Sequence, residues 1–195
     1  MIIIGYPGVG KSTLAAKYDS ADYEASKGIF PKSIIDLDSS IFNICDDEMM
    51  FDPMNHRKHD NWVELYCKVA EELSDQDHLV FVSSHAAVQK YLRECGVEVG
   101  VIYPSLELKQ QWLEKLRRRY MYEGRNPSDN SKNFAAYNRA CDHYEEDIEA
   151  LKSNGFELIE IESMAYDLEK LIFGEELIPD GTVTTVFFDN EEVKI

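Results

Sequence analysis

Five short aliphatic runs alternate along the chain with longer segments in which apolar residues recur every three or four positions. A short run that is apolar on both faces is typical of a buried parallel strand, and the longer spacing is typical of an amphipathic helix. The predicted strands span residues 1–5, 33–38, 78–84, 98–103 and 156–161, and the predicted helices span residues 11–18, 60–73, 86–94, 105–120, 131–153 and 163–173. Because strand and helix alternate, the pattern predicts an α/β fold with helices on both faces of a parallel sheet.

Two segments interrupt this alternation. Residues 121–130 are rich in turn-forming residues and are predicted to form a mobile loop. Residues 174–195 follow the last predicted helix, and the pattern does not place their apolar run at 183–188 in the sheet. We therefore predict a domain over residues 1–173 and a C-terminal extension over residues 174–195.

Size and charge limit the classes of protein to consider. With 195 residues, of which 44% are hydrophobic, the chain is long enough for one domain with a full core. It carries 20 Lys and Arg residues against 37 Asp and Glu residues, a net charge of −17. Such a field repels long nucleic acids and anionic membranes, so neither is expected as a main partner. A small anion can still bind at a local basic site.

Cysteine usage and hydropathy bear on location. The four cysteines form no C-x-x-C pair, so the sequence does not indicate a zinc site, and free thiols of a reducing compartment are expected. No apolar run reaches the length of a membrane span. We therefore expect a cytoplasmic protein, and the sequence leaves a homodimer open.

Residues 5–12, Gly-Tyr-Pro-Gly-Val-Gly-Lys-Ser, fit the pattern G-x-x-x-x-G-K-[ST] at every fixed position. Glycines let the backbone curl so that successive N–H groups point at a phosphate, and the helix that follows adds the positive end of its dipole. Lys11 is expected to reach the β- and γ-phosphates of a nucleotide, and the Ser12 hydroxyl is expected to bind Mg²⁺. The motif predicts ATP and Mg²⁺ as cofactors, and the residues expected to bind them are Gly5, Pro7, Gly8, Val9, Gly10, Lys11, Ser12 and Thr13.

With this loop, the chain resembles the P-loop kinases of small molecules, the group that includes adenylate, thymidylate, shikimate and gluconate kinases. More narrowly, it resembles the deoxynucleoside monophosphate kinases of phages and prophages. The matching segments cover most of residues 1–172 and are GYPGVGKST at 5–13, DLDSS at 36–40, VFVSSH at 80–85 and YPSLELKQQWLEKL at 103–116. The resemblance implies a three-layer α/β/α fold with a five-stranded parallel sheet in the order 2-3-1-4-5. It also implies an acceptor-binding region after strand 2 and a lid at about residues 117–132.

Asp36 and Asp38 lie where the second predicted strand ends, and open α/β sheets bind ligands at that end of their strands. Small-molecule kinases with a similar D-x-D place acids there that hold Mg²⁺ or orient the acceptor. The resemblance therefore implies Asp36 as a metal-side residue and Asp38 as an acceptor-side residue. The alternative is that one of the two caps the short helix that begins near Ser39 or Ser40.

Four arginines, at positions 117, 118, 119 and 125, occupy the predicted end of the fourth helix and the loop after it. Arginine can stabilise, through two hydrogen bonds, the charge that develops on a transferred phosphoryl group. Consecutive arginines point in different directions, so only one or two of the four are expected to face the site. The catalytic candidates are Arg117, Arg118 and Arg125, beside Lys11. The alternative is that these residues complement the C-terminal end of a helix dipole.

Three further features surround the predicted acceptor region. The basic cluster at residues 56–59 suits an acceptor that carries a phosphate, or is simply a solvated loop. Trp62 and Tyr66 lie one helical turn apart and could stack a base, although core packing is the favoured interpretation. The third strand ends in Ser83, Ser84 and His85, without the acid that motor ATPases use to hold metal and activate water. Ser83 and Asp36 are then the candidates for the outer shell of the metal.

These observations predict an enzyme that transfers the γ-phosphoryl group of Mg-ATP to a small acceptor, with a (deoxy)nucleoside monophosphate favoured. A nucleoside, a small hydroxylated metabolite and a 5′-hydroxyl nucleic-acid end are alternative acceptors. A nucleotide-binding regulatory ATPase is the alternative from a different class. The chain has no N-K-x-D motif for reading guanine, which argues against a GTPase switch.

Overall fold

The computed structural model describes residues 1–19, 31–42, 60–124 and 127–174. Its centre is a five-stranded parallel sheet in the order β2-β3-β1-β4-β5. The strands are β1 (Ile2–Gly5), β2 (Ile34–Asp36), β3 (Leu79–Ser83), β4 (Val99–Pro104) and β5 (Glu157–Ile161). The α/β class predicted from the pattern and the strand order implied by the resemblance are both confirmed.

Six α-helices accompany these strands in the described ranges. They are α1 (Lys11–Tyr18), α2 (Trp62–Asp75), α3 (Ala86–Glu94), α4 (Lys109–Arg118), α5 (Pro127–Lys152) and α6 (Leu168–Phe173). Short 3₁₀ turns cover Ser39–Phe42 and Leu106–Leu108, and a π-helical turn over Arg119–Glu123 continues α4. Among the helices described, none is both long and apolar enough to cross a membrane.

The centre of the sheet is covered on both faces. β1 and β4 are buried along their whole length, although successive side chains of a strand point to opposite faces. The strand register pairs Gly5 with Ser83 of β3 and with Ile102 of β4. The carboxyl ends of the three central strands therefore meet at one edge of the sheet, beside the loop that follows β1.

The loop predicted for residues 121–130 is mostly helical, so that prediction is wrong. The π-helical turn occupies its first part, and α5 already begins at Pro127, so Ser131 lies inside the helix and does not cap it. Proline fits the first turn of a helix because its missing N–H has no partner there, and Ser and Asp are favoured at helix starts. The same residue types therefore indicate either a loop or a helix start.

Helix α6 begins at Leu168, later than the predicted residue 163. The side chain of Asp167 accepts hydrogen bonds from the N–H groups of Glu169 and Lys170, at 3.0 and 3.4 Å. Such an N-cap satisfies two of the N–H groups that have no partner inside the helix. The start of α6 is therefore determined by this cap.

Beyond its kink, helix α5 buries the side chains that its apolar spacing predicts, whereas before the kink it buries a different set. Phe134 and Cys141 are exposed, whereas Asn133 and Ala140 are buried. The helix departs from helical geometry at His143, where φ is −134°. The buried face therefore shifts by one residue before the kink, a shift that a regular helical period cannot predict.

Several predicted features lie outside the described residues. These are the basic cluster at 56–59, the lid residue Arg125 and the C-terminal extension beyond residue 174 with its apolar run at 183–188.

Candidate functional site

The loop between β1 and α1 curls through two left-handed glycines. The φ angles are 88° at Gly8 and 98° at Gly10, in a region that other residues rarely adopt. A Cβ atom on Gly8 would lie 3.0 Å from Leu116 Cδ2 and 3.3 Å from Trp112 Nε1. The loop therefore needs glycine at position 8 for two reasons, its backbone conformation and its close contact with α4.

Trp112 holds the outer side of this loop. Its side chain is buried, and its Nε1 donates a hydrogen bond to the Pro7 carbonyl at 2.9 Å. A trans peptide directs its N–H opposite to its C=O, so this bond turns the Gly8 N–H toward the inner side of the loop. Among the described residues, the backbone N–H groups of Gly8 and Gly10 have no backbone acceptor. They are therefore available to an anion, together with the first N–H groups of α1.

The ammonium group of Lys11 folds back to the end of β1. Its Nζ donates a hydrogen bond to the Gly5 carbonyl at 2.7 Å. Removal from water lowers the pKa of Lys11, the charge of Asp36 acts in the opposite direction, and the charge of Arg119 lowers the pKa further. Two cations thus influence each other at this end of the sheet, and a bound polyphosphate would relieve their repulsion.

Ser12 and Asp36, the two residues predicted to serve the metal, are in direct contact. Ser12 Oγ donates a hydrogen bond to Asp36 Oδ2 at 2.5 Å, which joins the start of α1 to the end of β2. The described residues include no group of three or more His, Cys, Asp or Glu side chains that could hold a metal ion. Mg²⁺ bound with a nucleotide needs no such group, because phosphate oxygens and waters supply most of its ligands. The Ser12–Asp36 pair therefore fits Mg²⁺ that arrives with a nucleotide.

Asp38 makes a separate set of contacts at the same edge of the sheet. Its carboxylate accepts a hydrogen bond from the Ser40 N–H at 2.8 Å and pairs with the ammonium of Lys132 on α5, which also donates to Ser40 Oγ at 3.0 Å. Burial raises the pKa of Asp38, but the hydrogen bonds from Lys132 and Ser40 outweigh this effect and hold the pKa below its usual range. Asp38 thus caps the 3₁₀ turn, as the alternative interpretation expects, and also ties β2 to α5.

Arg117 and Arg118 are engaged along their own helix. Arg117 Nε and Nη2 donate to the Glu114 carboxylate at 2.7 and 3.0 Å, and Arg118 Nε donates to it at 3.0 Å. These hydrogen bonds lower the pKa of the Glu114 carboxyl to about 2. Both side chains are therefore paired with a carboxylate of their own helix, and the expectation that one of them faces the site stays a prediction.

Arg119 is the lid arginine that the sequence reasoning did not select. Its positive charge lowers the pKa of Lys11 and of Lys115, so it lies near the loop between β1 and α1. The side chain is partly buried, and no ion pair joins it to a carboxylate in the described part of the chain. The sequence spacing could have indicated this position, because Arg119 follows Trp112 by seven residues. Two helical turns bring it to the same face as Trp112, the face that contacts the loop. Lys132 was also missed, and no local pattern indicates its contact with Asp38.

Tyr66 confirms the core-packing interpretation of the aromatic pair on α2. Its side chain is fully buried, and its hydroxyl donates to the Leu37 carbonyl at 2.8 Å and accepts from the Ser83 N–H at 2.9 Å. Trp62 packs against Tyr66 and against His85, with ring centroids 6.1 and 5.6 Å apart. The Ser83 side-chain oxygen is buried and makes no hydrogen bond of ordinary geometry with the described residues. Tyr66 therefore fastens the ends of β2 and β3 beneath the candidate site.

Comparisons with protein-family models and with curated proteins gave no match to this chain.

Proposed function

We propose that the chain is a kinase that binds Mg-ATP and transfers its γ-phosphoryl group to a small acceptor, with a (deoxy)nucleoside monophosphate as the favoured acceptor. The observation that carries the proposal is the meeting of a curled glycine loop, Lys11, the Ser12–Asp36 pair and Arg119 at one end of the sheet. Each feature suits one part of a magnesium nucleotide: backbone N–H groups and lysine suit phosphates, and hydroxyl and carboxylate suit Mg²⁺. A further arginine suits the charge of the transferred group.

When bound, Mg-ATP supplies the reactive phosphoryl group and a metal that neutralises charge. The residues of the chain hold and orient it. The N–H groups of Gly8 and Gly10 donate to phosphate oxygens, and Lys11 exchanges the Gly5 carbonyl for a phosphate oxygen. Ser12 and Asp36 would hold Mg²⁺. Arg119 stabilises the charge that grows on the transferred group, a task that its planar guanidinium suits better than an ammonium does.

The contacts of Asp38 favour an acceptor that is already ionised. A carboxylate whose pKa is held low is a weak general base, and transfer to a phosphate oxygen needs no strong base. Lys132 neutralises the charge of Asp38 in their ion pair, so the carboxylate repels an anionic acceptor less. An alcohol acceptor, whether a nucleoside, a hydroxylated metabolite or a 5′-hydroxyl end, gains less from this pair. A regulatory ATPase needs no acceptor at all.

The test is ADP release from Mg-ATP against a panel of acceptors. The panel contains deoxynucleoside and ribonucleoside monophosphates, nucleosides, gluconate, shikimate and a 5′-hydroxyl oligonucleotide. We expect strong stimulation by one monophosphate, with the diphosphate product identified by mass spectrometry. Binding of ATP without stimulation by any acceptor would favour a regulatory ATPase, and failure to bind ATP would refute both functions.

A further inference from the structure

Tyr166, in the segment between β5 and α6, contacts the phosphate loop on the outer side that Trp112 also occupies. Its hydroxyl donates a hydrogen bond to the Val9 carbonyl at 3.0 Å, with the Gly8 carbonyl at 3.4 Å. The ammonium of Lys115 on α4 donates to the same hydroxyl oxygen at 2.8 Å. A tyrosine hydroxyl has one proton, so accepting from Lys115 directs that proton to the loop.

Lys115 is held there by aromatic rings. Its Nζ lies 4.5 Å from the ring centre of Trp112 and 4.8 Å from that of Tyr166, and the two rings stack with centroids 6.0 Å apart. Within the described residues, no carboxylate forms an ion pair with Lys115. Removal from water, and then the charge of Arg119, lower the pKa of Lys115, while the charge of Glu123 acts in the opposite direction. Holding a partly buried ammonium without a carboxylate partner costs stability, so its contact with the loop calls for a functional explanation.

We propose that Lys115 and Tyr166 are positioning residues for nucleotide binding. The ammonium of Lys115 orients the Tyr166 hydroxyl, whose proton holds the Val9 carbonyl on the outer side of the loop. Because a trans peptide directs its N–H opposite to its C=O, this bond presents the Gly10 N–H to the phosphates. Trp112 does the same for the Gly8 N–H through the Pro7 carbonyl. This role rests on the proposed function, since it matters only if the loop binds phosphate.

Tyr166→Phe tests this role directly, because it removes the hydroxyl and keeps the ring stacked on Trp112. We expect the Kd for Mg-ATP, measured by isothermal titration calorimetry, to rise about three- to tenfold, the effect of losing one hydrogen bond. The KM for ATP should rise equally while kcat stays within about twofold, since the bond serves the ground state and the transition state alike. Lys115→Met should have the same effect, and Lys115→Arg should restore most of the affinity because it retains the charge.

Tyr144→Phe is the matched control. It also removes a buried hydroxyl that donates to a backbone carbonyl, that of Ser105 at 2.9 Å, but that carbonyl is not part of the loop. We expect it to leave the affinity for Mg-ATP unchanged, even where the melting temperature falls as far as in Tyr166→Phe.

The outcomes separate this role from the proposed function. If the unmodified protein does not bind Mg-ATP, the proposed function fails. If the unmodified protein binds Mg-ATP, and the Kd values of Tyr166→Phe and Lys115→Met lie within about twofold of its Kd, only the positioning role is overturned. An equal loss of affinity in Tyr144→Phe, or no recovery in Lys115→Arg, would also overturn it, because the effect would then be a general loss of packing. If Tyr166→Phe fails to fold, the comparison of Lys115→Met with Lys115→Arg decides.

Discussion

Gly8 is the position at which a single methyl group tests the geometry of the loop between β1 and α1. Gly8→Ala places a Cβ atom on a backbone with φ of 88°, 3.0 Å from Leu116 Cδ2 and 3.3 Å from Trp112 Nε1. A left-handed backbone at a residue with a side chain lowers the free energy of unfolding by about 1–2 kcal/mol. Alanine also reduces the conformational entropy of the unfolded chain, which offsets about 0.4–1 kcal/mol of that loss. Crowding against α4 adds about 1–3 kcal/mol.

The free energy of unfolding should therefore fall by about 2.5 kcal/mol in Gly8→Ala. For a chain of this length, that corresponds to a melting temperature roughly 5–10 °C lower. Affinity for Mg-ATP should fall as well, because moving Trp112 weakens its hydrogen bond to the Pro7 carbonyl. Differential scanning calorimetry measures the first quantity, and titration calorimetry measures the second.

Two other glycines separate the causes. Gly96 has φ of 68°, and none of the described residues beyond its chain neighbours comes within 4 Å of an added Cβ. Gly96→Ala therefore has only the cost of the left-handed backbone and should melt about 2–4 °C lower, with unchanged affinity. Gly10 has φ of 98°, and in the described part of the chain an added Cβ would contact Leu168 Cδ2 alone, at 3.7 Å. Gly10→Ala should therefore resemble Gly96→Ala in stability but lose affinity for Mg-ATP. Equal melting temperatures and equal affinities for Gly8→Ala and Gly96→Ala would refute the reasoning.

Three further predictions concern charged groups of the site. Lys11→Ala should abolish phosphoryl transfer and change the melting temperature little, because the cost of removing the ammonium from water offsets its hydrogen bond to the Gly5 carbonyl. Normal turnover in an acceptor assay would refute the kinase proposal. Arg119→Met should lower kcat by about 10³-fold, with the free energy of unfolding unchanged or raised. Arg118→Met should lower kcat far less, because Arg118 pairs with Glu114. Similar kinetic losses in the two variants would contradict the choice of Arg119. Because the pKa of Asp38 is lowered in the folded protein, its ion pair with Lys132 stabilises the fold at any pH above the usual carboxyl pKa. This stabilisation disappears as the pH falls through the lower pKa of the folded state. Acid unfolding curves of the unmodified protein and of Asp38→Asn should therefore differ near neutral pH and converge in acid, and curves that differ equally at every pH would exclude this contribution.

The predictions that succeeded depend on short stretches of chain. β1 is apolar at every position because both of its faces are buried, so its boundaries could be read directly. The glycine loop could be recognised because residues 5–12 fit every fixed position of the motif, and the left-handed φ of Gly10 shows why one of those positions needs glycine. The strand order is a different matter, since it came from the resemblance, and the structure confirms it.

The predictions that failed concern segments whose local signals allow two structures. The turn-forming residues near Pro127 serve equally well in a loop and at the start of α5. The choice among the lid arginines stays a prediction, since it depends on which face of α4 contacts the loop after β1 and on whether Glu114 binds the neighbouring side chains. Neither condition can be read from three consecutive arginines.

The sequence by itself therefore determined the α/β class and the glycine-rich loop between β1 and α1, with a lysine and a hydroxyl-bearing residue at the start of the helix that follows. Only the tertiary structure decided which distant side chains support that loop and which do not. Lys132 reaches Asp38 across 94 positions of the chain, and Tyr166 reaches the Val9 carbonyl across 157. Backbone preference and burial are encoded locally, by residue type and spacing, whereas hydrogen bonds between distant elements depend on the packed arrangement of the whole sheet and its helices.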